Sequence, residues 1–133
     1  MQELSYNNCA GAVVEMPSAE RESRRVEREE KLVAELRRIV PLLIEIGVSS
    51  VILFGSLARH EVEKDSDIDL LVIWQTGLSF LERLDVLYRR LLPTVSLDLI
   101  CYTPEEFNEL QVKNPFVERI AREGVVLYAA PIH

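Results

Sequence analysis

A chain of 133 residues, 48% hydrophobic and 28% charged, is long enough to bury a core as one domain and too apolar to be an unfolded tail. Its net charge of −7 speaks against a broad grip on nucleic-acid phosphates, an affinity that comes from clustered Lys and Arg. No apolar run reaches the roughly 18 residues of a membrane span, no secretory signal is legible, and Cys9 and Cys101 fall outside any disulfide or zinc-ligand spacing, so a reduced, cytoplasmic protein is expected.

Residues 1–17 show no periodicity and read as a flexible leader without chemistry, and residues 18–133 read as a single domain. Ser18 can cap a helix whose Val26, Val33, Leu36, Val40 and Leu43 recur at helical spacing as far as Gly47. Pro41 cannot donate a backbone hydrogen bond, so a kink or restart is expected there. The mixed Arg and Glu residues over 21–31 read as a solvated face, with a partner-binding face as the alternative.

Three β-type runs follow, at 51–54, 68–74 and 95–102, with an amphipathic helix over 78–92 between the second and the third. Thr103, Pro104 and Glu106 have the spacing of a capping box with proline at the first helical position, so another helix opens there and helical structure continues to Arg122. Gly124 then precedes a short closing strand over 125–128. This order predicts an α/β (α+β) fold: a mixed sheet of about four strands with helices packed against it.

The chemistry concentrates around the second strand. Asp67 and Asp69 are two apart at its start, so both carboxylates face one side while Ile68, Leu70 and Val72 face the other. Like charges this close resist joint ionisation unless a cation joins them, and a hard ion such as Mg²⁺ prefers oxygen ligands. Asp98 interrupts the third strand in the same way and, if that strand lies beside the second, can supply a third carboxylate to a two-metal site. Gly55 and Ser56 end the first strand and open a short helical turn, a place where backbone N–H groups can approach an anion. Taken singly, a Gly-Ser pair is commonly a turn, an Asp-x-Asp a local cap, and Asp98 a satisfied structural acid. Asp65 reads as a solvated loop residue, and Ser66 alone as a turn residue.

In combination, Gly55-Ser56, Ala58-Arg59, Ser66-Asp67-Ile68-Asp69-Leu70 and Asp98 resemble the GSxARG…SDxDL pattern and distal acid of the minimal nucleotidyltransferases, polymerase-beta-like proteins of the MntA-like antitoxin type. The resemblance covers residues 36–128. It implies a polymerase-beta-like nucleotidyltransferase core in which Asp67, Asp69 and Asp98 are catalytic and hold Mg²⁺, as two ions, with Asp98 helping to deprotonate the acceptor. Gly55, Ser56, Arg59 and Ser66 would contact ATP or another nucleoside triphosphate. Arg59 could instead pair with Glu61 or Glu63. His60 departs from the pattern by standing where glycine is usual, and reads either as a turn residue or as a phosphate contact or proton carrier.

Larger relatives carry a second helical domain, and this chain ends soon after its last strand, so a separate partner is expected to complete the site. The resemblance implies a helical HEPN-type protein as that partner and AMP transfer to its hydroxyl, within a toxin-antitoxin pair. Two other readings stay open: an antitoxin that masks its partner by binding alone, and a transferase for a small molecule such as an aminoglycoside. No membrane partner is expected, nucleic acid is disfavoured, and homo-oligomerisation is left open.

Overall fold

The computed structural model describes residues 18–131 and opens with one long helix, α1 (Ser18–Ile46). The expected leader over 1–17 and Cys9 lie outside the described residues. Leu32, Leu36, Ile39 and Leu43 recur on one stripe of α1 and are buried, whereas almost everything before Leu32 is exposed. Helix α1 continues through Pro41 and does not restart there. Proline removes a single N–H, and the buried Leu36 and Ile39 on one side and Leu43 on the other anchor both flanking turns to the core.

The elements that follow are β1 (Ser50–Phe54), α2 (Gly55–Ala58), β2 (Ile68–Ile73), α3 (Phe80–Leu91), β3 (Leu97–Tyr102), α4 (Pro104–Lys113), α5 (Pro115–Glu123) and β4 (Val125–Ala129). The capping box expected from Thr103 and Glu106 is present, and Ser79 and Glu82 form a second one at the start of α3. The helical stretch expected up to Arg122 is divided in two at Asn114-Pro115. Pro115 has no N–H to continue α4, and the Asn114 side chain accepts from the N–H groups of Phe116 and Val117, starting a new helix.

The four strands form one mixed sheet in the order β3-β2-β1-β4, with β2 and β3 parallel and the other neighbours antiparallel. A parallel pair needs a crossover, and α3 supplies it. One sheet face, carrying Val51, Leu53, Ile68, Leu70, Val72, Leu97, Leu99 and Cys101, packs against the buried stripe of α1 and against Leu87 and Leu91 of α3. The other face buries a smaller cluster of Ile52, Leu71, Ile73 and Ile120, with Phe54, Ile100, Tyr102 and Phe107 packed against it. Phe107 belongs to α4 and Ile120 to α5, so these helices cover only part of the second face.

Two polar staples tie the layers together. Glu35, 4% exposed, accepts both arms of the Arg38 guanidinium at 2.8 Å and the Thr94 N–H at 2.7 Å, and Arg38 also donates to the carbonyls of Leu91 and Leu92. Arg83, itself buried, pairs with Glu106 at 2.7 Å and donates to the Leu78 and Cys101 carbonyls. The Arg38 pair holds the Glu35 carboxyl down at about 2, with help from Thr94 and against the opposing effect of burial. A depressed carboxylate contributes stability above its unfolded value, 4.5, and that contribution disappears as pH falls towards about 2. Glu35→Gln should therefore destabilise the protein at pH 7, by about 1–2 kcal/mol, and by progressively less between pH 4.5 and 2, as read by urea unfolding across that range.

Burial pushes the Cys101 thiol up to about 11, which leaves it an unreactive core residue. No helix of the described residues is long and apolar enough to cross a membrane.

Candidate active site

The register of the sheet builds the site. Asp69, the second residue of β2, lies opposite Phe54 at the end of β1 on one side and opposite Asp98 of β3 on the other. All three belong to the sheet face that carries Ile52, Leu71 and Ile73, against which α4 and α5 pack. Asp67 sits one residue before β2 begins, at the mouth of the strand. Asp67 and Asp69 are half-buried, and Asp98 and Asp65 are exposed.

Asp69 holds its proton above the usual carboxylate range. Burial raises its pKa to about 6, the Asp98 carboxylate and a hydrogen bond shared with it push the same way, Asp67 adds to the effect, and Arg59 partly opposes it. A carboxylate so reluctant to ionise beside two others suits a site completed by a cation, and an all-oxygen donor set suits Mg²⁺. The acids are not closed into a ready cage: among the described residues, no three His, Cys, Asp or Glu side chains are gathered tightly enough to hold a metal. Asp69 and Asp98 meet, and Asp67 acts on Asp69 from the strand mouth.

Gly55 stands directly against Asp69. Its φ of +80° lies in the left-handed region, and a Cβ built on it would overlap Asp69 Oδ2 and come within 3.0 Å of Asp69 Cγ. Glycine here permits the turn and also lets the backbone lie against the acid. The hydroxyl of Ser56 donates to that of Ser66 at 3.1 Å, and Ser66 Oγ accepts the Glu63 N–H at 2.7 Å, so both serines are tied into the loop between α2 and β2. Arg28 of α1 reaches the same loop through the Ser66 carbonyl. Arg59 pairs with Glu61 at 2.8 Å, which matches one of its two sequence readings, while its charge is also felt at Asp69.

His60 has φ of +56°, the backbone that glycine adopts freely, which explains why glycine is usual at this position of the pattern. Its side chain is 82% exposed, with Nδ1 3.7 Å from Glu29. The residue occupies a turn, and its ring is not among the groups lining the cavity. His60→Gly should raise stability by about 0.5–1 kcal/mol and leave any transferase activity unchanged, a result that thermal unfolding and a rate assay would check together.

A cavity of about 260 Å³ opens beside Asp69, between the turn after β1 and helix α5. Phe54, Arg59, Phe116, Arg119 and Glu123 are among the residues that line it, and the rings of Phe54 and Phe116 meet edge to face at 5.8 Å. Sequence reasoning treated α5 only as a helical stretch and missed Phe116 and Arg119. The one available signal was an exposed aromatic and an arginine three residues apart on a helix leading into the last strand, a pattern with no specificity of its own.

A family model described as "Polymerase beta, Nucleotidyltransferase" matches residues 37–131. Two proteins of Methanocaldococcus jannaschii, each named "putative protein adenylyltransferase", are similar to this chain. One is 42% identical over 52 residues, which is 39% of this chain and 56% of its own length, so the match spans about half of that relative. The other is 30% identical over 101 residues, covering 75% of this chain and 98% of its own. A crystal structure from Sulfolobus solfataricus, described as "a putative nucleotidyltransferase", superposes with a TM-score of 0.60 at 18% identity, covering 80% of this chain and 87% of that one, a likeness of fold.

Proposed function

Because the chain belongs to the polymerase beta nucleotidyltransferase family, we propose that it transfers a nucleoside monophosphate, AMP from ATP, to a hydroxyl group of a partner protein. The observation that carries this reading is the pairing of Asp69 with Asp98 across β2 and β3, beside a cavity and against the backbone of Gly55. The acceptor oxygen would attack the α-phosphorus, the bond from that phosphorus to the bridging oxygen of pyrophosphate would break, and the hydroxyl proton would leave to a base. Asp98 is the acid best exposed to take that proton. Mg²⁺, as two ions by the sequence resemblance, would be held by Asp67, Asp69 and Asp98 and would supply charge neutralisation at the phosphates.

The chain's own residues would do the positioning. Gly55 lets backbone lie against Asp69 and would let a triphosphate held there come close, and Ser56 and Ser66 brace the loop beside it. Arg59 and Arg119 bring two guanidinium groups to the cavity next to Asp69, where terminal phosphate charge needs partners. The relatives' names motivate a protein as acceptor, and the sequence resemblance motivates a helical HEPN-type toxin, with this chain as its antitoxin in the cytoplasm.

The test combines the protein, Mg²⁺, α-labelled ATP and a candidate partner. Label on the partner with wild type, lost with Asp67→Ala, supports transfer. Among the described residues Asp67, Asp69 and Asp98 do not close into a three-acid cage, and a second reading is therefore an antitoxin that masks its partner without chemistry. Neutralisation of the partner that survives Asp67→Ala, with no label transferred, would select it.

A further inference from the structure

We infer that Arg28, on the exposed half of α1, is a positioning residue that fixes how Asp67 and Asp69 present themselves to a metal ion; the inference rests on the nucleotidyltransferase reading. The N-terminal half of α1 buries no apolar side chain before Leu32, and its mixed charges read as a solvated surface. Yet three of its side chains reach the loop that leads into β2. Arg25 lies 3.4 Å from Glu63, an exposed ion pair of small energetic consequence, and Glu29 lies 3.7 Å from the exposed ring of His60. Arg28 is half-buried and differs in kind. Its Nε and Nη2 both donate to the carbonyl oxygen of Ser66, at 3.0 and 2.8 Å.

That carbonyl belongs to the peptide whose N–H is that of Asp67. Holding it with two N–H groups of one guanidinium edge restrains the orientation of that planar peptide and so the direction in which the chain enters Asp67 and β2. The remaining polar groups of Ser66 are engaged as well: its N–H donates to the Glu63 carbonyl at 3.1 Å, and its hydroxyl meets the Glu63 N–H and the Ser56 hydroxyl. Ser66 thus joins Arg28 on α1 to Ser56 in the glycine-serine turn, with the metal-site acids following it directly in the chain. A fork of two N–H groups on one oxygen needs a guanidinium, because a lysine ammonium holds as a point charge without that planar constraint.

The experiment uses the full chain with Arg28→Met and Arg28→Lys, and three readouts: thermal stability, binding of Mn²⁺ alone followed by loss of its free-ion electron paramagnetic resonance signal, and kcat and KM for ATP. Arg28→Met is expected to weaken Mn²⁺ binding and lower kcat by about tenfold each, with KM for ATP within about twofold of wild type, and Arg28→Lys to restore part of both. If Arg28→Met does not fold, Arg28→Lys carries the test with losses of about threefold. Mn²⁺ affinity and kcat equal to wild type would overturn the inference, as would losses that track melting and vanish on cooling. A wild-type protein that binds no Mn²⁺ and transfers no nucleotide would bring down the nucleotidyltransferase reading, and the inference with it.

Discussion

Replacing Asp69 with asparagine is expected to lower nucleotidyl transfer by on the order of 10³-fold while making the metal-free protein more stable. Both effects come from the same placement. Asp69 is half-buried beside Asp98 and within reach of Asp67, and its pKa rises from 3.8 to about 6. An acid that holds its proton more tightly when folded favours folding below its unfolded value, and loses that contribution as pH rises from 3.8 through about 6. At pH 7 the native protein therefore carries a charge it would rather not have. Asparagine keeps the shape and removes the charge. The full shift is attenuated by solvent at this partly open position, so a gain of about 1 kcal/mol is expected at pH 7, shrinking towards zero near pH 4. Thermal unfolding of both proteins in chelator, from pH 4 to 8, measures it. A metal ion should reverse the ranking by binding wild type more tightly, and its affinity for wild type should fall as pH drops through about 6, where protons compete for Asp69. An Asp69→Asn protein that transfers nucleotide at the wild-type rate would remove Asp69 from the chemistry altogether.

Much of this site was legible before any coordinates, because strand periodicity and parallel pairing carry side chains to defined faces. Asp69 and Asp98 each sit where an apolar alternation is broken, and the register places them opposite each other. Thr103 and Glu106 announced their helix through a spacing that follows from which backbone N–H groups lack partners. Other features left no local trace. Arg28 touches Ser66 across 38 positions of sequence, and Glu35 meets Thr94 across 59, contacts set by how α1 lies on the sheet. That α1 does not restart at Pro41 was illegible for the complementary reason: the burial that carries the helix through it is tertiary. His60 was legible as a departure from the pattern, but the positive φ at that position, which glycine adopts freely, is a backbone property that no residue pattern states.

Gly55→Ala should be a damaging single-methyl change at the site, with transfer reduced by about 10²-fold and stability by about 2 kcal/mol. Two separable causes add. The backbone at φ +80° disfavours any side chain, by roughly 1–2 kcal/mol. The new methyl would also overlap Asp69 Oδ2 and sit 3.0 Å from Cγ and 3.3 Å from Cβ, so the carboxylate must turn away from the position that brings it against Asp98. On the proposed function the activity loss would follow from the second cause, because a carboxylate displaced by about 1 Å would no longer present its charge where a metal-bound triphosphate needs it. A double-mutant cycle with Asp69→Ala separates the two. Removing the Asp69 carboxylate leaves the backbone strain and relieves the collision, so Gly55→Ala should be markedly less destabilising in that background than in wild type. Equal destabilisation in both backgrounds would mean that Gly55 serves the turn alone and that its closeness to Asp69 is incidental. A smaller effect beside Asp69→Ala would make the glycine a component of the carboxylate site, retained so that an acid on β2 and the turn after β1 can share one space.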